Sequence, residues 1–375
     1  MKTLAKILKK PITSTLIAIL FGFLVAAVVL VLAGYNPGQA FGALFRGIFA
    51  KPKYISNVVI KATPIILTGL SVAFAFQTGL FNIGSEGQYI AGTVLAVLVG
   101  VKLNLPPVLQ IPIVVLSGVL GGTLFGGIVG LLKAKFGINE VITSIMLNWI
   151  GLYLCNFVVN SGAYHMPNST STYPVNDSGF TMLLPKWKTS AAGMAAMKPH
   201  QWLYEIMMRT DVNFGIVVAV LMAFLIWFLL YRSRKGFELR AVGFNREAAE
   251  FAGISVNKNI VQSMLIAGAL SGLAGALSIT GTAPHNISTL AAFENNGFNG
   301  LSVAMIAGSS PVGCVFAGLL FGGLLYGGQS VQQDVGAPTE IINIMIGTIV
   351  FFVALTRVVP MLADRLEKRG AKNAV

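Results

Sequence analysis

The chain predicts an all-α polytopic membrane protein, and three observations carry that reading. Of its 375 residues, 55% are hydrophobic and only 10% are charged, whereas soluble domains carry about 25% charged residues. Apolar runs long enough to cross a bilayer recur along its length. The charges that remain sit in short runs at the ends of those segments, the pattern of topology signals. Forty-two glycines agree, because small residues let membrane helices approach closely. Residues 1–375 read as one transmembrane domain of about ten helices, some short or broken, in a multi-pass protein of a bacterial cell membrane.

The first element is an apolar run from Ile12 to Ala33, preceded by Lys2, Lys6, Lys9 and Lys10. It is too long for a signal peptide and has no convincing small-residue cleavage site, so it reads as a retained first span with a cytoplasmic N-terminus. Further spans fall near Val58–Phe76, Val108–Leu132, Val141–Val159, Phe214–Tyr231, Asn259–Gly281 and Ile341–Thr356. Asn82–Val101 is less regular. Its apolar run after Gln88 gives about 20 Å of helix against a hydrocarbon core of roughly 30 Å. Leu301–Tyr326 is interrupted by SSPVG at Ser309–Gly313, which makes a short span and a longer one.

This layout places 17 of the 26 basic residues in cytoplasmic segments, which puts both termini in the cytoplasm. Arg46, Lys51, Lys53 and Lys61 are exceptions, in a stretch that also reads as an amphipathic surface helix. The hydrophilic insert Ser161–Val212 falls outside and is long for a structureless loop, so it is expected to fold as a cap.

The net charge of +13 does not make a nucleic-acid binder. Its basic residues are dispersed as span flanks, not gathered in a patch, so membrane lipids are the expected surroundings and nucleic acid is not an expected partner. Cys155 and Cys314 lie inside apolar runs and read as small buried residues. His165, His200 and His285 have no ligand spacing between them, so neither a metal nor another cofactor is expected. No acid/base or nucleophile constellation marks an enzyme.

The most informative stretch is Arg240–Ile254, within a cytoplasmic loop at residues 232–258. Asn245 suits a helix N-cap. Glu247 lies in the first turn, where the helix dipole favours a negative charge. Gly253 supplies a left-handed stop. Two to three turns are expected, with Ala248, Ala249 and Phe251, and Ile254 just beyond, as a small apolar surface suited to a partner's groove. A helix lying on its own bundle is the competing reading.

This segment resembles the coupling-helix region of permease subunits in the branched-chain amino acid/ribose-type ABC importer superfamily. Three further stretches look like its nucleoside-importer branch: FNIGSEGQ at Phe81–Gln88, GINEVITSIMLNWI at Gly137–Ile150 and NGFNGLSVAMIAGSSPVG at Asn296–Gly313. The four occur in family order. One departure is GSSPVG, where an Asn-Pro type turn is expected. The resemblance implies a permease subunit of an ATP-driven nucleoside importer. Asn245, Arg246, Glu247, Ala248, Ala249, Phe251 and Gly253 would then couple it to an ATPase. The implied partners are an ATP-binding cassette ATPase subunit, a second permease subunit that is often a paralogue, and an extracellular solute-binding lipoprotein. The chain carries no G-x-x-x-x-G-K-[ST] phosphate loop, so ATP hydrolysis is expected on a separate subunit.

Three polar sets are candidates for the translocation pathway. In the first, Asn82, Ser85, Glu86 and Gln88 surround an acidic group that costs about 2.5–3.5 kcal/mol at mid-bilayer. Glu86 either lines the pathway or caps the short span near the cytoplasmic face. In the second, Asn139 and Glu140 read as a helix start, while Asn148 shares a face with Glu140 or bonds between helices. The third set is Glu294, Asn295, Asn296 and Asn299. Its amides match the donors and acceptors of a nucleobase edge and ribose hydroxyls, and it equally forms a turn. Trp149 and Phe298 either stack a base or pack. Permeases for ribose-like sugars or branched-chain amino acids are the nearest alternatives. An ion-coupled secondary transporter would need several intramembrane carboxylates, and only Glu86 is a fair candidate.

Overall fold

The computed structural model describes residues 11–355, with side chains from residue 17 onward. The N-terminal lysines, Ile12, Thr356 and the basic residues from Arg357 onward therefore lie outside what is described, in whole or in side chain.

The helices in chain order are α1 (Pro11–Leu32), α2 (Pro37–Phe49), α3 (Pro52–Gln77), α4 (Ser85–Lys102), α5 (Pro107–Phe136) and α6 (Glu140–Val159). Then come α7 (Pro185–Lys188), α8 (Ala191–Met197), α9 (Gln201–Arg209), α10 (Gly215–Arg232), α11 (Arg234–Phe244) and α12 (Arg246–Phe251). The last four are α13 (Val256–Gly281), α14 (Asn296–Ile306), α15 (Pro311–Val335) and α16 (Thr339–Ala354). Among the described residues the extended pairings are isolated bridges only. Six helices, α3, α5, α6, α10, α13 and α15, are long and apolar enough to cross a membrane, and Ile17–Leu32 and Thr339–Ala354 are shorter apolar stretches. The short span expected from Asn82 begins as a helix at Ser85 and runs 18 residues, about 27 Å, because Ser85–Gln88 are helical too. The broken region divides as expected, with Gly308 and Ser309 at positive φ between α14 and α15.

The chain divides into two units, Met1–Lys51 with Gly323–Val375, and Pro52–Gly322. In the first, α1 packs along α16, with Phe21 edge-on to Phe352 at 4.8 Å between ring centres. The surface helix expected near Arg46 is α2. Asn36 caps it by accepting the Gly38 and Gln39 amides at 2.9 and 3.3 Å, with Pro37 in the first turn, where its missing N–H costs nothing. One face buries Ala40, Ala43, Leu44 and Ile48, while Phe45, Arg46 and Phe49 are exposed.

In the second unit α13 is the centre, packed against α5, α4 and α3. Its seam with α5 is made of glycine. A Cβ on Gly122 would overlap the Gly268 carbonyl, and one on Gly272 would overlap the Gly118 carbonyl. Without a hydrophobic drive between helices in lipid, such close backbone contact supplies the dispersion energy that holds them together. The insert is folded, as expected. It holds a 3-10 turn at Asp177–Gly179, then α7, α8 and α9. Backbone bonds tie it down, from Thr181 N–H to Thr280 O at 2.9 Å and from Val175 N–H to His285 O at 2.9 Å.

Candidate functional site

Two helices of the second unit begin deep inside it, not at its ends. After α3 stops at Gln77, residues 78–84 turn back along it without helical structure. Asn82 donates to Ser71 Oγ at 2.9 Å, and Ser71 donates to Ala267 O at 2.6 Å. α4 then starts at Ser85, whose hydroxyl meets Ser271 Oγ at 2.7 Å. Ser271 lies near the middle of α13, and Asn148 near the middle of α6. Asn148 accepts the Gly87 amide at 2.8 Å and donates to Ile83 O at 3.1 Å. The start of α4 is thereby fixed at half the depth of its neighbours.

The second such helix is α14. Residues 282–295 descend from the end of α13, and Asn156 of α6 holds Leu290 by both its amide N–H and its carbonyl, at 2.7 and 3.0 Å. Asn295 takes the left-handed conformation, φ 65°, and α14 starts at Asn296. Glu86 from α4 closes this N-terminus. One carboxyl oxygen accepts the Asn295 amide at 2.8 Å and the other accepts the Gly297 amide at 2.6 Å. Thr68 of α3 adds a bond to Asn296 O at 2.9 Å. A carboxylate at a helix N-terminus satisfies orphan amides and meets the positive end of the helix dipole. Glu86 thus caps a helix, but the helix is α14 and not its own short span.

The expected residues fall into two groups. Asn82, Ser85, Glu86, Gln88, Asn148 and Asn296 are buried together. Asn82 and Gln88 pair amide to amide at 2.9 and 3.0 Å, which uses polar groups that an open pathway would offer to solute. Glu294 and Asn295 are exposed and Asn299 is half-buried. Glu294 accepts from the Asn296 side chain at 3.1 Å. Beside them Trp149 packs on Phe293 at 4.8 Å, and Phe293 meets Phe298 at 5.7 Å. Asn139 and Glu140 form the helix start. Asn139 caps α6 through the Val141 amide at 2.8 Å, and Glu140 pairs with Lys133 at 2.8 Å.

Thr68, Ser71, Ser271, Tyr153 and Phe293 carry the arrangement as well, and sequence reasoning missed them. A hydroxyl or ring inside an apolar run carries no signal of its own, since its role depends on partners as far as 228 residues away.

The loop at residues 232–258 holds two short helices. Asn245 caps α12 as expected, accepting the Ala248 amide at 3.0 Å. Gly253 at φ 80° stops it, with Ile254 N–H returning to Ala249 O at 2.9 Å. The helix is shorter than expected, six residues, under two turns, because it ends at Phe251 with Ala252 already its C-cap, one residue ahead of the glycine. Ala249 is turned inward, so it leaves the expected apolar surface. Phe251 is 98% exposed, and Phe244, not foreseen, is 95% exposed. Arg246, Glu247 and Ala248 are also exposed. The Lys235 ammonium, bonded to Glu238 at 2.9 Å, holds the Glu238 carboxyl below its ordinary pKa, with the Asn259 amide helping. α11 sits directly on the non-helical segment. A Cβ on Gly243 would collide with the Gln77 carbonyl, and Gly79 takes φ 70° beside it. Arg246 reaches Gly79 O at 3.5 Å.

Comparison with known proteins adds to this geometry. Residues 54–354 match the family model described as branched-chain amino acid transport system / permease component. The chain is similar to the guanosine ABC transporter permease protein NupP of Bacillus subtilis, 38% identical over 95% of this chain and 97% of that one. The nucleoside ABC transporter permease protein NupB of Lactococcus lactis is 33% identical over 96% and 95% of the two chains. The glucose ABC transporter permease protein TsgB13 of Haloferax volcanii is 30% identical over 90% and 85%. The matched range includes both helix breaks, Glu86 and the loop at 232–258, and the chain belongs to the branched-chain amino acid transport system permease family, as a multi-pass plasma-membrane permease of an ABC importer.

Proposed function

We propose that this chain conducts nucleosides inward as the membrane subunit of an ATP-driven importer. The observation that carries the reading is the 38% identity to a guanosine permease across nearly the whole of both chains. Its pathway residues are those gathered where α4 and α14 begin. Glu294, Asn295 and Asn299 face the solute. Asn82, Ser85, Glu86, Gln88, Asn148 and Asn296 hold the backbone that presents them.

A separate ATP-binding cassette subunit docks on Asn245, Arg246, Glu247, Ala248, Phe251 and Gly253, with Phe244 beside them. Two nearly fully exposed phenylalanines, Phe244 at the end of α11 and Phe251 at the end of α12, support that reading, because such rings fit a groove of a partner. Both termini and the loop at 232–258 lie in the cytoplasm, and the insert Ser161–Val212 lies outside, where an extracellular solute-binding lipoprotein delivers the solute. One chain supplies one such loop, so a second permease subunit, a copy or a paralogue, completes the transporter.

A sugar is the second reading, favoured by the 30% identity to a glucose permease. Uptake of labelled uridine, adenosine, ribose and leucine in cells with and without the gene separates them. Loss confined to the nucleosides is expected. Loss of ribose alone overturns the nucleoside assignment and keeps the transporter.

A further inference from the structure

Trp149 and Tyr153 stand one turn apart on α6 and are 47% and 64% exposed. Their rings are nearly parallel, 29° between planes, with centres 6.2 Å apart. On an outer face of a membrane bundle, such rings would ordinarily meet lipid. Met146, Ile150 and Phe157 on α6 are exposed as well, but polar groups share the level of the two rings. Asn148, the residue before Trp149, is bonded to the start of α4 at half the depth of the bundle. At the same level lie Glu294 and Asn295, both exposed. An ionisable side chain facing hydrocarbon at mid-bilayer is rare, and such groups face a bundle interior or a water-filled cavity.

The backbone makes the same point independently. Ala291 and Ala292 are exposed and non-helical, and among the described residues their amides have no hydrogen-bond partner. Irregular backbone survives at membrane depth only inside protein or along a water-filled cavity. Such a surface lines a water-filled cavity or is covered by protein, and not by lipid. It combines two flat rings with a carboxylate that has one oxygen committed to Asn296 and lies against the Tyr89 hydroxyl.

We propose that Trp149 and Tyr153, backed by Phe293, are a stacking platform for a planar heterocycle in transit, with Glu294 accepting an N–H from its edge. The chemistry fits a nucleobase, which has a π-face for the rings and N–H donors for the carboxylate. It does not fit an aliphatic amino acid side chain. The inference rests on reading the chain as a nucleoside permease, and it assigns the base, not the ribose, to this wall.

The test is photolabelling of the complete transporter, with its ATPase and second permease, in membrane vesicles. The probe is 8-azidoadenosine, adducts are mapped by peptide mass spectrometry, and uptake of labelled adenosine is measured in the same vesicles. In the wild type, adducts are expected on peptides containing Trp149, Tyr153 or Phe293, displaced by excess adenosine and not by ribose. Trp149→Leu is expected to raise the concentration for half-maximal labelling about 5- to 150-fold, the range of base–aromatic stacking. Trp149→Phe keeps a flat face and stays near the wild type. Equal vesicle content of the three proteins shows that assembly is intact. Adenosine uptake without adducts at these residues, or with labelling unchanged in both Trp149→Leu and Tyr153→Leu, overturns the platform and leaves the nucleoside reading standing. Vesicles that take up ribose and no nucleoside overturn both.

Discussion

Removing the Glu86 carboxylate should unfasten the start of α14. Both of its oxygens are engaged by backbone amides, at 2.8 and 2.6 Å, and the residue is fully buried. Glu86→Ala leaves two amide donors, that of Gly297 buried and that of Asn295 partly buried, without an acceptor. At about 1–3 kcal/mol for each stranded group, the loss is about 2–6 kcal/mol, with up to about 2 more from the uncompensated helix dipole. Glu86→Gln retains one acceptor oxygen but turns an NH2 donor toward the other amide, so roughly half the loss is expected. Amide hydrogen exchange of the peptide covering residues 294–300 is the assay, alongside thermal unfolding of the purified permease. Protection should fall in the order wild type, Gln, Ala, and uptake should fall with it. Wild-type protection of that peptide in Glu86→Ala would refute the capping argument, and wild-type uptake in Glu86→Gln would remove the residue from any essential role.

Other outcomes follow from the loop at 232–258 and from His285, which packs against the insert. Replacing Phe244 and Phe251 together with Ser should leave thermal unfolding of the permease unchanged, because both rings are almost fully exposed, and should abolish co-purification of the ATPase; retained co-purification refutes the docking surface. Gly243→Ala forces a methyl into the Gln77 carbonyl and should destabilise by about 1–3 kcal/mol, read as a lower unfolding temperature. Burial holds the His285 imidazole below its ordinary pKa, although the backbone carbonyl of Ile279 and nearby Asp211 and Asp177 oppose the shift. The unfolded chain then takes up a proton that the folded one refuses. Stability is therefore unaffected by this group above about pH 6.5 and falls as pH drops below it. His285→Phe should flatten thermal stability between pH 7 and 5, and an unchanged slope would refute the assignment.

The spans were legible because length and apolarity are local. The runs beginning at Val58, Val108, Val141, Phe214 and Asn259 each became a helix with ends shifted by a few residues. The break at Ser309–Gly313 was legible because glycine, serine and proline punctuate a helix wherever it lies. The Asn245 cap and Gly253 stop were legible for the same reason. What could not be read was pairing at a distance. Glu86 marked itself by its charge, but its acceptor role depends on amides more than 200 residues onward. Asn82 and Gln88 looked like free polar groups, and only the fold shows them spent on one another, while Asn148 bonds to a neighbouring element, one of its two expected readings, through partners the sequence did not name. Nothing around Phe244 distinguishes it from a ring that packs inward; its exposure follows from how α11 sits on Gly79.

The glycine seam between α5 and α13 has a mechanical consequence. Where side chains separate two helices, small rotamer changes let one slide or roll on the other. Here carbonyls rest on α-carbons, and a backbone has no rotamers with which to yield. The two helices therefore move as one plank. Deformation is left to the segments without helical bonds, residues 78–84 and 282–295. Those are the two stretches that meet at the Glu86 cap.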